Sequence, residues 1–314
     1  MITPSTPGTS RGEGERQRVQ LARHGLVLFF SLLVPLSALS EGLIIVTRDM
    51  RWTALLMWMP GLAALLTRLI LHEGMADISF RFWPQEQYLP ESLALVSPSL
   101  LATRPMGQLK RIVHLAPGQW KGLKAIIIAL LFPTIIGLLA YGIAWITGLA
   151  QFSFPTRATS LSTSLHFALH LLVLSTIMTI PSALTAAGEE LGWRGYMLTR
   201  LIDARIPCPV LLSGVIWGLW HLPLILTGLY FTSSHRVFTA SIFMLVLIAF
   251  GFIIARLRLE SESIWPAITV HASWNVIIPR GFDYATRGVH ATLWTGEAGV
   301  LVALIMLLAA FIFS

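Results

Sequence analysis

Charge is scarce in this sequence of 314 residues: Asp, Glu, Lys and Arg make up 12% of it, against about 25% in an ordinary soluble domain. A globule of this size could not cover itself with so few charged groups, which excludes a soluble enzyme. Disorder is excluded by the 55% hydrophobic content and a mean hydropathy of +0.74. Cysteine is nearly absent. Cys208 stands alone, so an intrachain disulfide and a cysteine-rich zinc site are both ruled out, and a metal would need His, carboxylate or amide ligands. An apolar signal core is missing too. Residues 1–23 are polar, carry Arg11, Arg16, Arg18 and Arg23, and read as a disordered basic cytoplasmic tail. No internal repeat is visible.

What remains is the composition of one multi-pass membrane domain over 24–314. Apolar runs long enough to cross a bilayer, about 20 residues, fall near 25–47, 52–72, 124–150, 165–185, 209–228, 238–256, 263–279 and 297–313. The expected fold is all-α, a polytopic bundle of about eight helices with a cytoplasm-facing polar cavity. The net charge of +7 reads as basic loops on anionic lipid and not as a nucleic-acid surface. With the N-terminus inside, the inner segments hold 15 Lys+Arg and the outer loops six. That bias predicts cytoplasmic N- and C-termini, in a bacterial cytoplasmic membrane. The long loop 73–123, with Phe80, Phe82, Trp83, Tyr88 and Trp120, reads as an interfacial collar. The remaining Trp and Met content reads as mostly lipid-facing or core.

Ionisable residues at depth carry the chemical information, since each costs roughly 2.5–3.5 kcal/mol at the bilayer centre without a partner or a wet cavity. Three clusters stand out. In Glu189-Glu190-Leu-Gly-Trp-Arg194, Glu190 and Arg194 lie four apart on a helix and can pair, while Glu189 sits about 100° round from Glu190 without a local counter-ion. A carboxylate of that kind suits a general base. His221 lies in Trp217-Gly218-Leu-Trp220-His221-Leu-Pro223, behind Gly214 and Gly218, whose spacing favours close helix packing. His271 and Asn275 share a face in His271-Ala-Ser-Trp-Asn275. Each cluster alone has a plain structural reading as a salt bridge, a core histidine or an interhelical hydrogen bond. Together they form an inventory for activating water and holding an oxyanion. They could alternatively hold a divalent metal such as zinc on Glu189, His221 and His271, although the H-E-x-x-H helix motif is absent. His166 and His170, also four apart, read as structural. Glu41 and Arg68 could pair within the first two spans, or Arg68 could snorkel to the inner surface.

At these residues the sequence resembles the CPBP family (CAAX protease and bacteriocin-processing, or Abi), which includes type II CAAX prenyl proteases. The motifs E-E-x-x-x-R, a His in an aromatic-rich helix, and H-x-x-x-N occur here in family order, within a motif-bearing core of about 165–280. The resemblance implies an intramembrane endopeptidase acting on a membrane-anchored or lipid-modified peptide. Glu189 would activate water with His221 as its partner. His271 and Asn275 would stabilise the oxyanion or bind metal, and Glu190 and Arg194 would support the first motif. The competing readings are a peptide-binding self-immunity protein and a proton-coupled transporter, the latter disfavoured by the missing repeat. One difficulty is depth. A fourth span ending near 185 leaves Glu189 at the inner boundary, whereas His221 falls about 18 Å into its helix. A later start or a tilt of that span would resolve this.

Overall fold

A computed structural model describes residues 8–80, 122–155 and 162–314. Residues 81–121, including most of the expected collar, lie outside the described residues. The described residues form twelve α-helices in order: α1 Gly8–Thr47, α2 Thr53–Leu56, α3 Met59–Ile70, α4 Leu123–Ile146, α5 Thr163–Val173, α6 Thr179–Gly192, α7 Leu198–Asp203, α8 Pro209–Thr227, α9 Arg236–Ser261, α10 Trp265–Ile277, α11 Ala291–Trp294 and α12 Val300–Ile312. The only strands among the described residues are Gln151–Phe152 and Thr286–Arg287, paired antiparallel. The molecule is therefore an all-α, polytopic membrane bundle.

Among the described residues, six helical stretches are long and apolar enough to span a membrane: Glu13–Thr47, Met50–Ile70, Leu123–Ile146, Thr163–Asp203, Pro209–Thr227 and Arg236–Ser261. α10 and α12 are shorter, at 13 residues each. Proline stands in the first turn of α3, α8 and α10, where its missing N–H costs nothing. Gly228, in the left-handed region at φ +81°, ends α8 as such glycines commonly do.

Two expectations change here. The region read as a tail through 23 is helical from Gly8 onward. The fourth span does not stop near 185. It continues through π-helical turns at Leu174–Met178 and Trp193–Met197 to Asp203. Glu189 then sits 14 residues from that end, about 21 Å along a helix. This brings it level with His221 and removes the mismatch in depth. The apolar run was cut short at the charges of the motif, but those charges are satisfied inside the bundle.

Successive spans alternate in direction, so the bundle has two ends. At the tail end, Arg23 donates to the Ala204 carbonyl at 3.4 Å, and Ile264 N–H bonds the Ser79 carbonyl at 2.9 Å. A polar latch, the segment 73–80, lies across this end. Asp77 takes hydrogen bonds from Arg68 at 2.8 Å and Arg200 at 3.4 Å, its backbone carbonyl accepts from Arg258 at 2.6 Å, and Glu73 meets Arg200 at 2.5 Å. Arg68 therefore turns to Asp77 and not to Glu41. At the far end, Tyr141 donates to Asp283 at 2.6 Å and receives the Gly296 N–H at 2.8 Å, beside the strand pair. His166 and His170 bond the backbone carbonyls of Ser162 and Arg280, in keeping with a structural role.

Candidate active site

α6 carries the carboxylates into the middle of the bundle because glycines let its backbone approach α3. A Cβ on Gly188 would stand 2.7 Å from the Met57 carbonyl oxygen, and one on Gly192 would stand 2.4 Å from Pro60. The π turn that follows sets Trp193 and Arg194 back against the two glutamates. Close approach also joins α8 to α9, where a Cβ on Gly251 would lie 2.9 Å from Gly214 Cα, as the Gly214 spacing predicted.

Glu190 and Arg194 pair at 2.8 Å, both fully buried. Glu190 Oε1 also lies 2.7 Å from His271 Nδ1. A carboxylate can only accept, so Nδ1 carries the proton and Nε2 is turned away from Glu190. The Arg194 guanidinium lies 4.3 Å over the Trp217 ring. This arrangement fixes the tautomer and direction of His271 through a charged pair behind it.

Glu189 is held differently. Its Oε2 accepts from the Trp217 indole at 2.7 Å and from the Trp193 indole at 3.3 Å. Its Oε1 lies 3.9 Å from His271 Nε2. A single water at an ordinary distance of about 2.8 Å from each atom could touch both. His221 Nδ1 bonds the Trp217 carbonyl at 2.9 Å, so that nitrogen donates and Nε2 keeps the lone pair of the neutral ring. Trp217 thus serves two site residues, with its indole on Glu189 and its carbonyl on His221.

Glu189, His221, His271 and Asn275 all line one cavity of about 210 Å³. The predicted quartet from three spans is therefore brought together, with Glu190 and Arg194 behind it. Sequence reasoning missed four contributors. Trp193 and Trp217 were read as generic aromatic content, and nothing in a sequence marks an indole as a carboxylate's donor. Tyr230 and Glu297 also line the cavity or bond to groups that do. Glu297 did have a signal, since it is an ionisable residue at the head of the last apolar run.

Met50, Thr53, Tyr230, Pro279 and Glu297, all from the far end of the bundle, are among the residues that line the cavity. Among the described residues, no three His, Cys, Asp or Glu side chains are grouped so as to hold a metal ion. Glu189 gives Oε2 to two indoles and His221 and His271 each commit Nδ1, which leaves Glu189 Oε1 and the two Nε2 atoms as the donors a metal on these residues would use.

Comparison with known proteins agrees with this inventory. Residues 171–277 match the family model described as type II CAAX prenyl endopeptidase Rce1-like. All six motif residues fall within that stretch. The chain is also similar to CAAX prenyl protease 2 of Methanococcus maripaludis, at 32% identity over 189 residues, which is 56% of this chain and 65% of the relative. The match thus spans just under two thirds of that relative's length.

Proposed function

We infer that this chain, which through residues 171–277 belongs to the type II CAAX prenyl endopeptidase Rce1-like family, is an intramembrane endopeptidase that cuts membrane-associated polypeptides. One observation carries the reading: a glutamate whose Oε2 is tied to two indoles presents Oε1 to a histidine nitrogen 3.9 Å away, inside a cavity deep in an apolar bundle. Fixing one oxygen leaves the other as a directed base.

In the proposed reaction a water between Glu189 Oε1 and His271 Nε2 loses a proton to Glu189. The hydroxide oxygen bonds to the carbonyl carbon of the scissile peptide, and the C=O electrons move to oxygen. His271 Nε2–H and the Asn275 amide donate to that oxyanion. Glu190 accepts from Nδ1 and so stabilises the His271 imidazolium that such donation needs, while Arg194 holds Glu190 in place. When the C–N bond breaks, the departing nitrogen takes a proton from Glu189, passed directly or through His221 Nε2. The products are a carboxylate and an amine. Each step uses a side chain of this chain, and none requires a metal. The name of the relative suggests that a lipid-modified polypeptide is one substrate class.

The test uses purified protein in proteoliposomes with a fluorogenic membrane-anchored peptide. Glu189→Gln keeps the shape and the indole hydrogen bonds but removes the base, and cleavage is expected to fall by about 10²–10⁴-fold with an unchanged melting temperature. Undiminished cleavage by this variant would remove Glu189 from the role of base.

A further inference from the structure

Of the side chains in the proposed reaction centre, Glu189 is tied to two indoles, His221 to the Trp217 carbonyl and His271 to Glu190. Asn275 is the exception. It lines the cavity, yet among the described residues its amide has no hydrogen-bond partner. A donor stabilises an oxyanion well only if it is already aimed when the charge develops. The aim of Asn275 therefore has to come from the helix that carries it.

That helix is gripped beside Asn275. Trp274, the preceding residue, is buried, and its indole donates to Glu297 Oε1 at 3.0 Å. The Trp274 ring also packs on Phe250, with centroids 4.7 Å apart, but a ring contact alone permits sliding, whereas a hydrogen bond fixes direction. Neighbours on a helix are about 100° apart, so holding Trp274 sets the rotation of α10 and with it the direction of Asn275. Glu297 reaches in from the loop between α11 and α12, and this loop is itself anchored. Gly296 takes φ +86° and gives its N–H to the Tyr141 hydroxyl at 2.8 Å. Tyr141 donates in turn to Asp283 at 2.6 Å, at the end of the π turn Ile278–Asp283 that continues α10. The loop thus grips α10 next to Asn275 and again beyond its C-terminal end. A carboxyl offers an accepting oxygen whether ionised or protonated, so the grip does not depend on the charge of Glu297 or of the nearby histidines.

We propose that Glu297 is a positioning residue, which by holding the Trp274 indole sets the rotation of α10 that aims the Asn275 amide at the oxyanion. Glu297 lies outside the three motifs and outside the stretch 171–277 that matches the family model. The oxyanion role of Asn275 rests on the endopeptidase reading, but the hold of Glu297 on its direction does not.

Asn275 is the one asparagine in the sequence, and this gives a direct measurement. Full-length protein carrying asparagine labelled with heavy nitrogen, in nanodiscs, shows its side-chain amide alone by NMR. Glu297→Leu and Trp274→Phe should each shift or broaden that signal. Glu297→Gln, whose amide oxygen can still accept from the indole, should leave it near the wild-type position. In proteoliposomes, Glu297→Leu and Trp274→Phe should each lose roughly tenfold in kcat with KM changed by no more than about twofold, and Glu297→Gln should keep most of the activity. In an Asn275→Ala background, Glu297→Leu should cost kcat nothing further. A merely structural role would cost the same in both backgrounds. An Asn275 signal unmoved by Glu297→Leu, a kcat loss that persists in full in Asn275→Ala, or a Glu297→Gln variant as impaired as Glu297→Leu would overturn the proposal. A shifted signal in protein that cleaves no peptide would leave the positioning role standing and remove the endopeptidase reading.

Discussion

At the residue scale, Trp217 is the most connected member of the site. Its indole anchors Glu189, its carbonyl orients His221, and its ring carries the Arg194 guanidinium. Trp217→Phe keeps the carbonyl and an aromatic face but removes the donor to Glu189. A hydrogen bond to a charged group is worth about 1.5–3 kcal/mol, so kcat is expected to drop roughly tenfold to a hundredfold. The His221→Ala variant should show its loss independently of that bond. If Trp217→Phe turns over at the wild-type rate, the indole does not position the base. The carboxylates and histidines of this site were legible in the sequence because ionisable groups are rare in an apolar chain and costly where they lie. Trp193 and Trp217 were not legible, because an indole packed in lipid and an indole bonded to a carboxylate leave the same trace in a sequence.

At the scale of elements, α6 works because it lies against α3 at backbone distance. Gly192→Ala would place a methyl group 2.4 Å from Pro60. Forcing the helices apart is expected to cost about 1–3 kcal/mol, read as a lower melting temperature in detergent together with lost cleavage, since Glu189 moves with the helix. The latch at 73–80 gives a second prediction. Burial works to raise the Asp77 carboxyl, but the Arg68 and Arg200 guanidiniums outweigh it and hold the group below the ordinary carboxylate range. A folded value below the unfolded one means a stabilising contribution that is present above about pH 4 and lost as pH falls through the folded value. The wild-type melting temperature should therefore decline in acid, and Asp77→Asn should be less stable at neutral pH while losing that part of the acid dependence. An unchanged acid profile in Asp77→Asn would show that the latch is held by other contacts. The eight apolar runs were visible from the sequence. The continuation of the fourth past its charged motif was not, because hydropathy penalises charges that the bundle satisfies internally.

At the scale of the whole molecule, the cavity reaches residues of the far end, such as Met50 and Pro279, away from the tail end. Once Arg194 is assigned to the core and Arg68 to the tail end, the chain still divides its remaining Lys+Arg 15 to six in favour of the segments attached to the tail end. From the positive-inside rule we propose that this end is cytoplasmic. The single cysteine provides the measurement. Cys208 is exposed at the start of α8, at the tail end. In spheroplasts of a bacterial expression host, a membrane-impermeant maleimide should label wild-type protein only after permeabilisation. Val289, 93% exposed in the far-end loop, should be labelled in intact spheroplasts when changed to Cys in a Cys208→Ala background. The reverse pattern would put the tail end on the outer side.

The sequence by itself determined the solvent, the all-α class, the apolar runs and the six motif residues, because each rests on composition or on spacing along one helix. Only the tertiary structure decided which oxygen of Glu189 is free, which nitrogen of His271 faces it and that Glu297 lines the same cavity. Those features depend on contacts between groups far apart in the chain, such as Trp217 with Glu189 and Trp274 with Glu297. Local periodicity carries no information about such contacts, which exist only once the helices are packed.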